Sequence, residues 1–550
     1  MAEETKKINK KLILIGSIVA AVVVVAIIAL VLILNSEGTQ QASCLEQAQA
    51  EFAEAYELDM EDGKLDEKAN TKNGYYVEKV LGELIAKYDK TFKEKYIITF
   101  DGKEWKVTLV GEEVIKPVEP TPASQFEYEV KDNGVVITGF KDKAVTKVVI
   151  PAEIDGLPVV GIKEGAFSEC SDLADISAED GSAFIGFEGN LYTKDGGKLV
   201  CFAPANKATE FTVPEFVTSI EAYTFAGNAN LTSVKVPANV KELGAYAFYG
   251  CEKLEKVELP EGLTTIKEGT FAECGVLKSA NIPSTVTVIE ARAFAGCAKL
   301  AELALPQNIA ELGDYAFNGC KTFTALEVPA SLEKLGFAVF GGCTAVTKLT
   351  ITNIGEDTAV DSIWTLFGEG EFPAGLTTVV VAEGATKIGS GAFWSCDQLT
   401  TVELPSTLKV IGDKAFIECD GLTAIKLPNG LEEIGEDAFF YCDSLTTLTI
   451  PGSVKVIGAE AFRCCVGLTT IIIEEGVEEI GDYAFRCCDS VTEITIPSSV
   501  KVIGEGIFKY NTALKTINLP CFGEGTIIPS LTYLFKYDLY VPKDLKVNVK

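Results

Sequence analysis

The sequence predicts a solenoid of stacked 23-residue coils, and three observations carry this prediction. The apolar residues occupy the same places in every unit, as in LTTLTIPGSVKVIGAEAFRCC at Leu445–Cys465. At 550 residues the chain is too long for one compact core, so a repeat array or several domains are expected. Phenylalanine recurs every 23 residues in two runs, at Phe225, Phe248, Phe271, Phe294, Phe317 and Phe340, and at Phe393, Phe416, Phe439, Phe462, Phe485 and Phe508.

Each unit divides into segments with different local preferences. The L-x-x-I-x-I segment alternates apolar and polar residues, which indicates a strand, and the proline after it ends that strand. The A-F-x-x-C segment suits a short helix or a 3-10 turn. A 23-residue period lies within the range of leucine-rich repeats, about 20–29 residues. We therefore expect an α/β-type leucine-rich repeat solenoid over residues 126–550, with a parallel sheet and long insertions near 176–215 and 352–375.

The N-terminal 34 residues predict an uncleaved signal-anchor. Residues 12–34 carry no charge over 23 positions, and this length spans about 34 Å as a helix, enough for a bilayer core of about 30 Å. Lys6, Lys7, Lys10 and Lys11 precede this stretch. The positive-inside rule then places residues 1–11 in the cytoplasm and the rest of the chain outside a plasma membrane that it crosses once. A long signal peptide is the alternative.

Residues 35–116 predict a small α+β spacer domain before the repeats. Tyr96–Phe100 and Trp105–Val110 alternate apolar and polar residues on either side of Asp101-Gly102, as in a β-hairpin. Residues 117–125 are rich in proline and predict a semi-rigid linker.

Composition excludes several classes of function. The formal net charge of −31 opposes nucleic-acid binding, which needs clustered Lys and Arg. The chain has no histidine, the commonest general base and metal ligand, which removes Ser-His-Asp and Cys-His catalysis and most transition-metal sites. No phosphate-loop, dinucleotide or nucleophile-elbow motif is present. We expect a protein that is not an enzyme and that needs no cofactor or metal.

Eleven of the 16 cysteines stand three residues after a regularly placed phenylalanine. Asn228 and Asn511 take this place in two other coils, so the site requires a small group that can bond to turn carbonyls. We interpret the column as a buried, reduced ladder, with disulfides or a metal as the alternative. Cys464 and Cys487 each precede a ladder cysteine in adjacent coils, and we expect them to face outward and to be able to form a disulfide.

One row of residues suggests a binding surface, which we call the strip. It consists of the residue after each phenylalanine of the second run: Trp394, Ile417, Phe440, Arg463, Arg486 and Lys509. Tyr441 adjoins the strip, and Trp364 lies in the second insertion, where loops often line a binding face. Exposed aromatic and arginine side chains are typical of interfaces. In the alternative interpretation, Trp394, Ile417 and Phe440 tuck under neighbouring turns.

The complete unit, LxxIxIPxxVxxIGxxAFxxCxxL, resembles the BspA-like leucine-rich repeat family. VVITG at residues 135–139, the stretch Val148–Phe167 and the long insertion Asn190–Phe225 are also similar to the family, and the resemblance covers roughly residues 126–550. It implies an exported surface protein that adheres to a host, matrix or neighbouring-cell protein or glycan. A self-associating structural protein of the cell envelope is the alternative. The N-terminal anchor departs from the pattern of many members.

Overall fold

The computed structural model describes the backbone of residues 96–100 and 105–109, and residues 119–301, 304–355, 358–368, 372–520, 530–537 and 541–549 in full. Tyr96–Phe100 and Trp105–Leu109 pair antiparallel, with Phe100 opposite Trp105, as a hairpin requires. The predicted anchor at 12–34 and the remainder of the spacer lie outside the described residues. Within the described residues, no helix has the length and apolar character needed to cross a membrane.

The repeat region opens with a mixed sheet and a short antiparallel insertion. Phe126–Lys131 and Gly134–Phe140 pair antiparallel. The strand Leu157–Ile162 pairs in parallel with Gly134–Phe140 on one side and antiparallel with Glu153–Ile154 on the other. The insertion forms three strands that pair antiparallel in order, Phe184–Phe187, Asn190–Thr193 and Lys198–Phe202. The last of them also pairs in parallel with Ser219–Ile220 and so joins the insertion to the solenoid.

The L-x-x-I-x-I segments form parallel strands whose register is one repeat, for example Thr447 opposite Thr470. The repeat therefore sets the pairing, since a shift by one residue would turn every apolar side chain outward. The strands are Lys147–Ile150, Asp175–Ala178, Glu210–Thr212, Ser233–Lys235, Lys256–Glu258, Ser279–Ala280, Ala325–Val328, Lys348–Ile351, Thr378–Val381, Thr401–Glu403, Ala424–Ile425, Thr447–Ile450, Thr470–Ile473, Glu493–Thr495, Thr516–Leu519 and Lys546–Val549.

The V-x-x-I-G segments form a second set of short parallel strands, again paired coil to coil. Their bounds are Ser219–Ile220, Glu242–Leu243, Thr265–Ile266, Val288–Ile289, Glu311–Leu312, Lys334–Leu335, Lys387–Ile388, Val410–Ile411, Glu433–Ile434, Val456–Ile457, Glu479–Ile480 and Val502–Ile503. The glycine that follows is needed for close stacking. A Cβ added at Gly458 would lie 2.4 Å from the carbonyl carbon of Gly435 in the preceding coil, well inside van der Waals contact.

The expectation of a short helix or 3-10 turn in each A-F-x-x-C segment is wrong for the regular coils. Helices in the described residues are confined to Ala123–Gln125, a 3-10 turn, and to the α-helical turns Ile363–Phe367 and Leu531–Phe535, which occur where the 23-residue spacing is interrupted. In a regular coil, Glu460 and Cys464 on either side of Phe462 have φ of 55° and 59°, which a right-handed helix does not allow. The backbone N–H of Phe462 instead donates to the carbonyl of Ala484 in the next coil at 2.8 Å.

The regularly spaced phenylalanines form the predicted ladder through one continuous core. Their side chains are 0% exposed, and successive rings stack nearly parallel, with centroids 5.1 Å apart for both Phe416–Phe439 and Phe439–Phe462. A smaller core cluster lies under the opening strands and includes Phe126, Phe140 and Phe167. Stacked coils thus bury apolar faces that one coil alone would leave exposed.

The cysteine column is buried and free of disulfides in the described residues, and its thiols serve the hydrogen-bonding role that the sequence suggested. The Sγ of Cys465 donates to the carbonyl of Phe439 in the preceding coil at 3.1 Å, and most ladder cysteines repeat this bond. Asn228 does the same with its amide, which donates to Ala203 and Pro204 carbonyls at 3.2 and 3.0 Å. Each coil end is thereby tied to the coil before it.

Candidate binding surface

The turn after each ladder phenylalanine differs between the two runs of repeats. Its second residue has a positive φ, a backbone conformation that favours glycine. In the first run glycine fills this place in all coils but that of Glu273, at Gly227, Gly250, Gly296, Gly319 and Gly342. In the second run no glycine does, and the residues are Ser395, Glu418, Tyr441, Cys464, Cys487 and Tyr510.

The strip, one residue earlier in the same turn, shows the same contrast. The corresponding residues of the first run are Ala226, Tyr249, Ala272, Ala295, Asn318 and Gly341. Tyr249 is the one large side chain among them. The coil itself therefore requires bulk at neither position. A non-glycine residue with positive φ costs of the order of 1 kcal/mol, and such costs are typically retained where the side chain has a function. The second run keeps these side chains in every coil.

The strip lies on the surface, and its members differ in exposure. Trp394 is 55% exposed and the adjoining Tyr441 is 42% exposed. Ile417 and Phe440 are half-buried. The alternative, in which Trp394, Ile417 and Phe440 all tuck under neighbouring turns, therefore holds in part for Ile417 and Phe440. It does not hold for Trp394. Arg463, Arg486 and Lys509 are half-buried as well.

The second insertion brings Trp364 to the apolar end of the strip. Its indole Nε1 donates to the carbonyl oxygen of Trp394 at 2.6 Å, and its ring packs on Phe372 with centroids 5.2 Å apart. The Trp394 indole in turn donates to the Glu418 carboxylate at 3.2 Å, and Ser395 donates to the same carboxylate at 2.6 Å. Two tryptophans thus form one end of the surface, with fixed orientations.

Aromatic rings and cations meet in the middle of the strip. The Arg463 guanidinium lies 4.7 Å from the centroid of the Phe440 ring, close enough for a cation–π contact, and it pairs with Glu460 in its own coil. The centroids of the Phe440 and Tyr441 rings are 4.2 Å apart. The aromatic end and the cationic end are therefore one continuous surface.

The sequence reasoning missed one cation that extends the strip. The helical turn Leu531–Phe535 places Phe535 at the ladder position, with its ring 6.1 Å from that of Phe508, and Lys536 follows it. Lys536 lies 4.8 Å from the centroid of the Tyr483 ring. The signal was the Leu534-Phe535 pair, but the spacing from Phe508 is 27 residues instead of 23, so the period did not reveal it.

Cys464 and Cys487 lie at the positive-φ position of adjacent coils, less open than expected. Cys464 is buried and Cys487 half-buried, and both are free. Ring centroids of Phe462 and Phe485 are 5.7 Å apart, a coil spacing within the range of about 4.4–6.8 Å that disulfides span between Cα atoms. Burial, together with the neighbouring Cys464 thiol, raises the pKa of Cys487 to about 11. The bridge between Cys464 and Cys487 stays a prediction. We expect it to form slowly, because the thiolate is the reactive form and the raised pKa leaves little of it near neutral pH.

We expect a small-molecule disulfide to oxidise Cys464 and Cys487 to a bridge, releasing its own two thiols, and to do so faster at pH 8.5 than at pH 7 because more thiolate is present. Mass spectrometry of non-reduced peptides measures the bridge directly, and Cys487→Ser supplies the control. Two thiols that stay free after prolonged oxidation at pH 8.5 would contradict the predicted bridge.

No catalytic arrangement is evident in the described residues. A cleft between the two core clusters is lined by Lys163, Glu164, Thr193, Lys198 and Cys201, among others. Lys198 is paired with Glu221 at 2.9 Å, and burial raises the pKa of Cys201 to about 12, which leaves a poor nucleophile. The described residues also contain no group of three or more Cys, Asp or Glu side chains placed to hold a metal ion.

Comparison with known proteins places these coils in a family. The model of the BspA type leucine-rich repeat region matches residues 199–321, 264–360 and 386–515, together more than half of the chain. No curated protein is significantly similar in sequence.

Three solved structures are similar to this chain. A leucine-rich repeat protein from Bacteroides ovatus is 24% identical, with 78% of this chain and 98% of that chain covered and a TM-score of 0.41. A leucine-rich cell surface protein from Faecalibacterium prausnitzii is 18% identical, with 78% of this chain and 93% of that chain covered and a TM-score of 0.23. The pneumococcal vaccine antigen PcpA is 19% identical, with 78% of this chain and 92% of that chain covered and a TM-score of 0.26. On the match of the family model, this chain belongs to the BspA type leucine-rich repeat family.

Proposed function

We propose that this protein is a cell-surface binding protein that attaches to an extracellular protein or glycan through the strip and the aromatic residues beside it. The observation that carries the proposal is the contrast between the two runs of coils. Both runs have the same ladder, yet only the second displays large aromatic and cationic side chains at two neighbouring turn positions, one of which disfavours any side chain. The buried ladder, which both runs share, does not require this difference.

The chemistry of the surface suits a macromolecular partner. Tryptophan, tyrosine and arginine contribute most of the energy at protein interfaces, and here they lie on adjacent coils of a stiff scaffold. The rings and guanidinium groups already contact one another, so little conformational entropy is lost when a partner binds. A repeat scaffold with fixed surface residues requires no catalytic group for this role.

The membrane anchor is part of the same proposal. The uncharged stretch at 12–34 and the lysines before it support a single-pass orientation with the repeats outside the cell. Protease added to intact cells should remove the repeat region while residues 1–11 stay protected. Protection of the repeats would contradict this orientation.

We expect the double substitution Trp394→Ala/Arg463→Glu to weaken binding of the full-length protein to its partner by about 2 kcal/mol or more, roughly thirtyfold in Kd. The partner would be found by screening the full-length protein against matrix proteins and glycans. Tyr249→Ala/Lys253→Glu is the matched control, because it makes the same chemical change on exposed residues of the first run.

Equal loss of binding in the two variants, or no loss in either, would contradict the strip as the contact. Self-association of the wild-type protein without added partner, abolished by the first variant alone, would instead favour the assembly function.

A further inference from the structure

Trp394 and Glu418 form a fixed pair at the apolar end of the strip, which we call the Trp394–Glu418 pair. The Trp394 indole Nε1 donates to Glu418 Oε2 at 3.2 Å, and the Ser395 hydroxyl donates to the same oxygen at 2.6 Å. The Trp394 carbonyl accepts the indole N–H of Trp364 at 2.6 Å, so the backbone beneath the ring is held as well. Trp394 is nevertheless 55% exposed. The ring is therefore an accessible surface with a set orientation.

Glu418 has one carboxylate oxygen left for a partner. Both hydrogen bonds to its side chain end on Oε2, and Oε1 accepts none from the residues that the structure describes. Glu418 is exposed, and within the described ranges it forms no ion pair with Lys414 of the same turn or with any other cation. Its φ of 58° is the conformation that favours glycine, so the carboxylate is kept here at some cost to the backbone.

Two further carboxylates, Asp397 and Asp420, belong to the same two coils and are exposed. Burial raises the pKa of Asp420, and the charges of Asp397 and Glu418 raise it further. The carboxylates therefore repel one another, and none of them has a cation as a partner in the part of the chain that the structure describes. A cation that bound here would relieve this repulsion, whereas an anionic group would add to it.

The place of the carboxylate at the edge of the indole distinguishes between two kinds of cation. A guanidinium group is planar, so it can lie flat on the ring of Trp394 while its N–H groups reach sideways to Glu418 Oε1. An ammonium group is a compact point charge and satisfies the ring and the carboxylate less well at the same time. Tryptophan is also the side chain whose ring attracts cations most strongly.

We propose that the Trp394–Glu418 pair binds an arginine side chain on the surface of a partner protein. The guanidinium packs on the exposed indole and donates to Glu418 Oε1, while Asp397 and Asp420 add attraction over a longer range. This rests on the proposed function, because it names the group that is recognised at one end of the same surface.

The test uses full-length protein labelled with fluorotryptophan, because a chain with three tryptophans gives few fluorine signals. Trp394→Leu identifies the Trp394 signal by its absence. The probe is a capped Gly-Ser-Arg-Ser-Gly peptide, and matched probes replace its arginine with citrulline or lysine; a glucosamine oligomer supplies a cationic glycan. We expect the arginine peptide to shift the Trp394 signal saturably, at least about tenfold more tightly than the citrulline peptide and several-fold more tightly than the lysine peptide or the oligomer. Added salt should weaken the binding.

Glu418→Gln separates loss of charge from loss of folding. The glutamine keeps an oxygen that can accept the bonds from Trp394 and Ser395, and an unchanged Trp364 signal would show that the turn is intact. We expect this variant to bind the arginine peptide at least about fivefold more weakly. Glu403→Gln, the same change at an exposed carboxylate on the sheet face, is the control and should keep the affinity within about twofold.

The inference would be overturned by an unmoved Trp394 signal, by equal affinities for the arginine and citrulline peptides, or by equal binding of the arginine peptide to the two glutamine variants. Equally tight binding of the glucosamine oligomer would also overturn it and would indicate a cationic glycan. None of these outcomes removes the proposed function, which is scored by attachment of a screened partner to Trp394→Ala/Arg463→Glu. Conversely, a partner that binds that variant as well as the wild type would remove the proposed function, while the peptide titration could still be read.

Discussion

Replacing Phe439 with alanine is expected to lower the free energy of unfolding by about 3–5 kcal/mol. The ring is completely buried and stacks on both neighbours in the ladder, at 5.1 Å to Phe416 and 5.1 Å to Phe462. Its removal leaves a cavity that the coils cannot close, because Gly435 and Gly458 already bring adjacent backbones into contact. The cost should therefore lie near the upper end for such substitutions.

Hydrogen exchange is the appropriate measurement, since repeat proteins contact mainly their neighbours and open in segments. Protection should fall most in the coils at 416–485 and much less in those at 225–317. Phe439→Leu, which largely preserves volume, should cost less than about 1.5 kcal/mol. A uniform loss of protection along the chain, or a cost for Phe439→Ala below 1 kcal/mol, would contradict a ladder in which each ring supports its own neighbours.

The ladder could be predicted because a strict period converts sequence into contact. Once Phe416, Phe439 and Phe462 are 23 residues apart in units of one pattern, stacking is the arrangement that buries all of them. The cysteine column followed from substitution within the chain itself, since Asn228 replaces cysteine where a carbonyl must be bonded. Such inferences need no knowledge of backbone angles.

The turn conformation could not be derived in the same way. The A-F-x-x-C segment has the composition of a helical turn, and residues such as Glu460 and Cys464 give no sign that their φ is positive. The glycines at equivalent places, Gly250 and Gly296, were the available signal. They reveal the left-handed position only when coils are compared column by column.

The candidate surface shows the same division. The strip was visible because its six residues obey the period, whereas Lys536 and the contact between Trp364 and Trp394 lie beyond interruptions of it. Inserted residues change the path of the chain by amounts that only the folded backbone defines. Prediction from the repeat therefore ends where the repeat is interrupted.

Raising the pH from 8 to 11 is expected to unfold the solenoid, because the buried cysteine ladder must stay protonated. Burial raises the pKa of Cys419 to about 12, and it is also the main cause of the raised pKa of Cys297, Cys320, Cys396, Cys442, Cys465 and Cys488. In the unfolded chain these thiols titrate near pH 8.5–9, roughly three units lower for Cys419. The folded state thus holds protons that the unfolded state releases.

The sign and the size of the effect follow from this difference. The contribution is fully present below about pH 8.5 and is lost as the pH rises towards the folded value of about 12. Each pH unit in this window removes about 1 kcal/mol for Cys419. The other buried thiols of the ladder are shifted in the same direction, so their losses add to that of Cys419. Thermal midpoints should be nearly constant from pH 7 to 8.5 and fall steeply above pH 9.

Tyrosine and lysine also titrate above pH 9, so the thiols need a control of their own. Cys419→Asn provides it, because Asn228 already occupies the equivalent place and bonds the carbonyls of the coil before it. This variant should be somewhat less stable at pH 8, but its stability should decline less steeply between pH 9 and 11, by about 1 kcal/mol per pH unit. Parallel declines in the two proteins would show that the buried thiols do not set the alkaline limit, and that exposed tyrosines and lysines do.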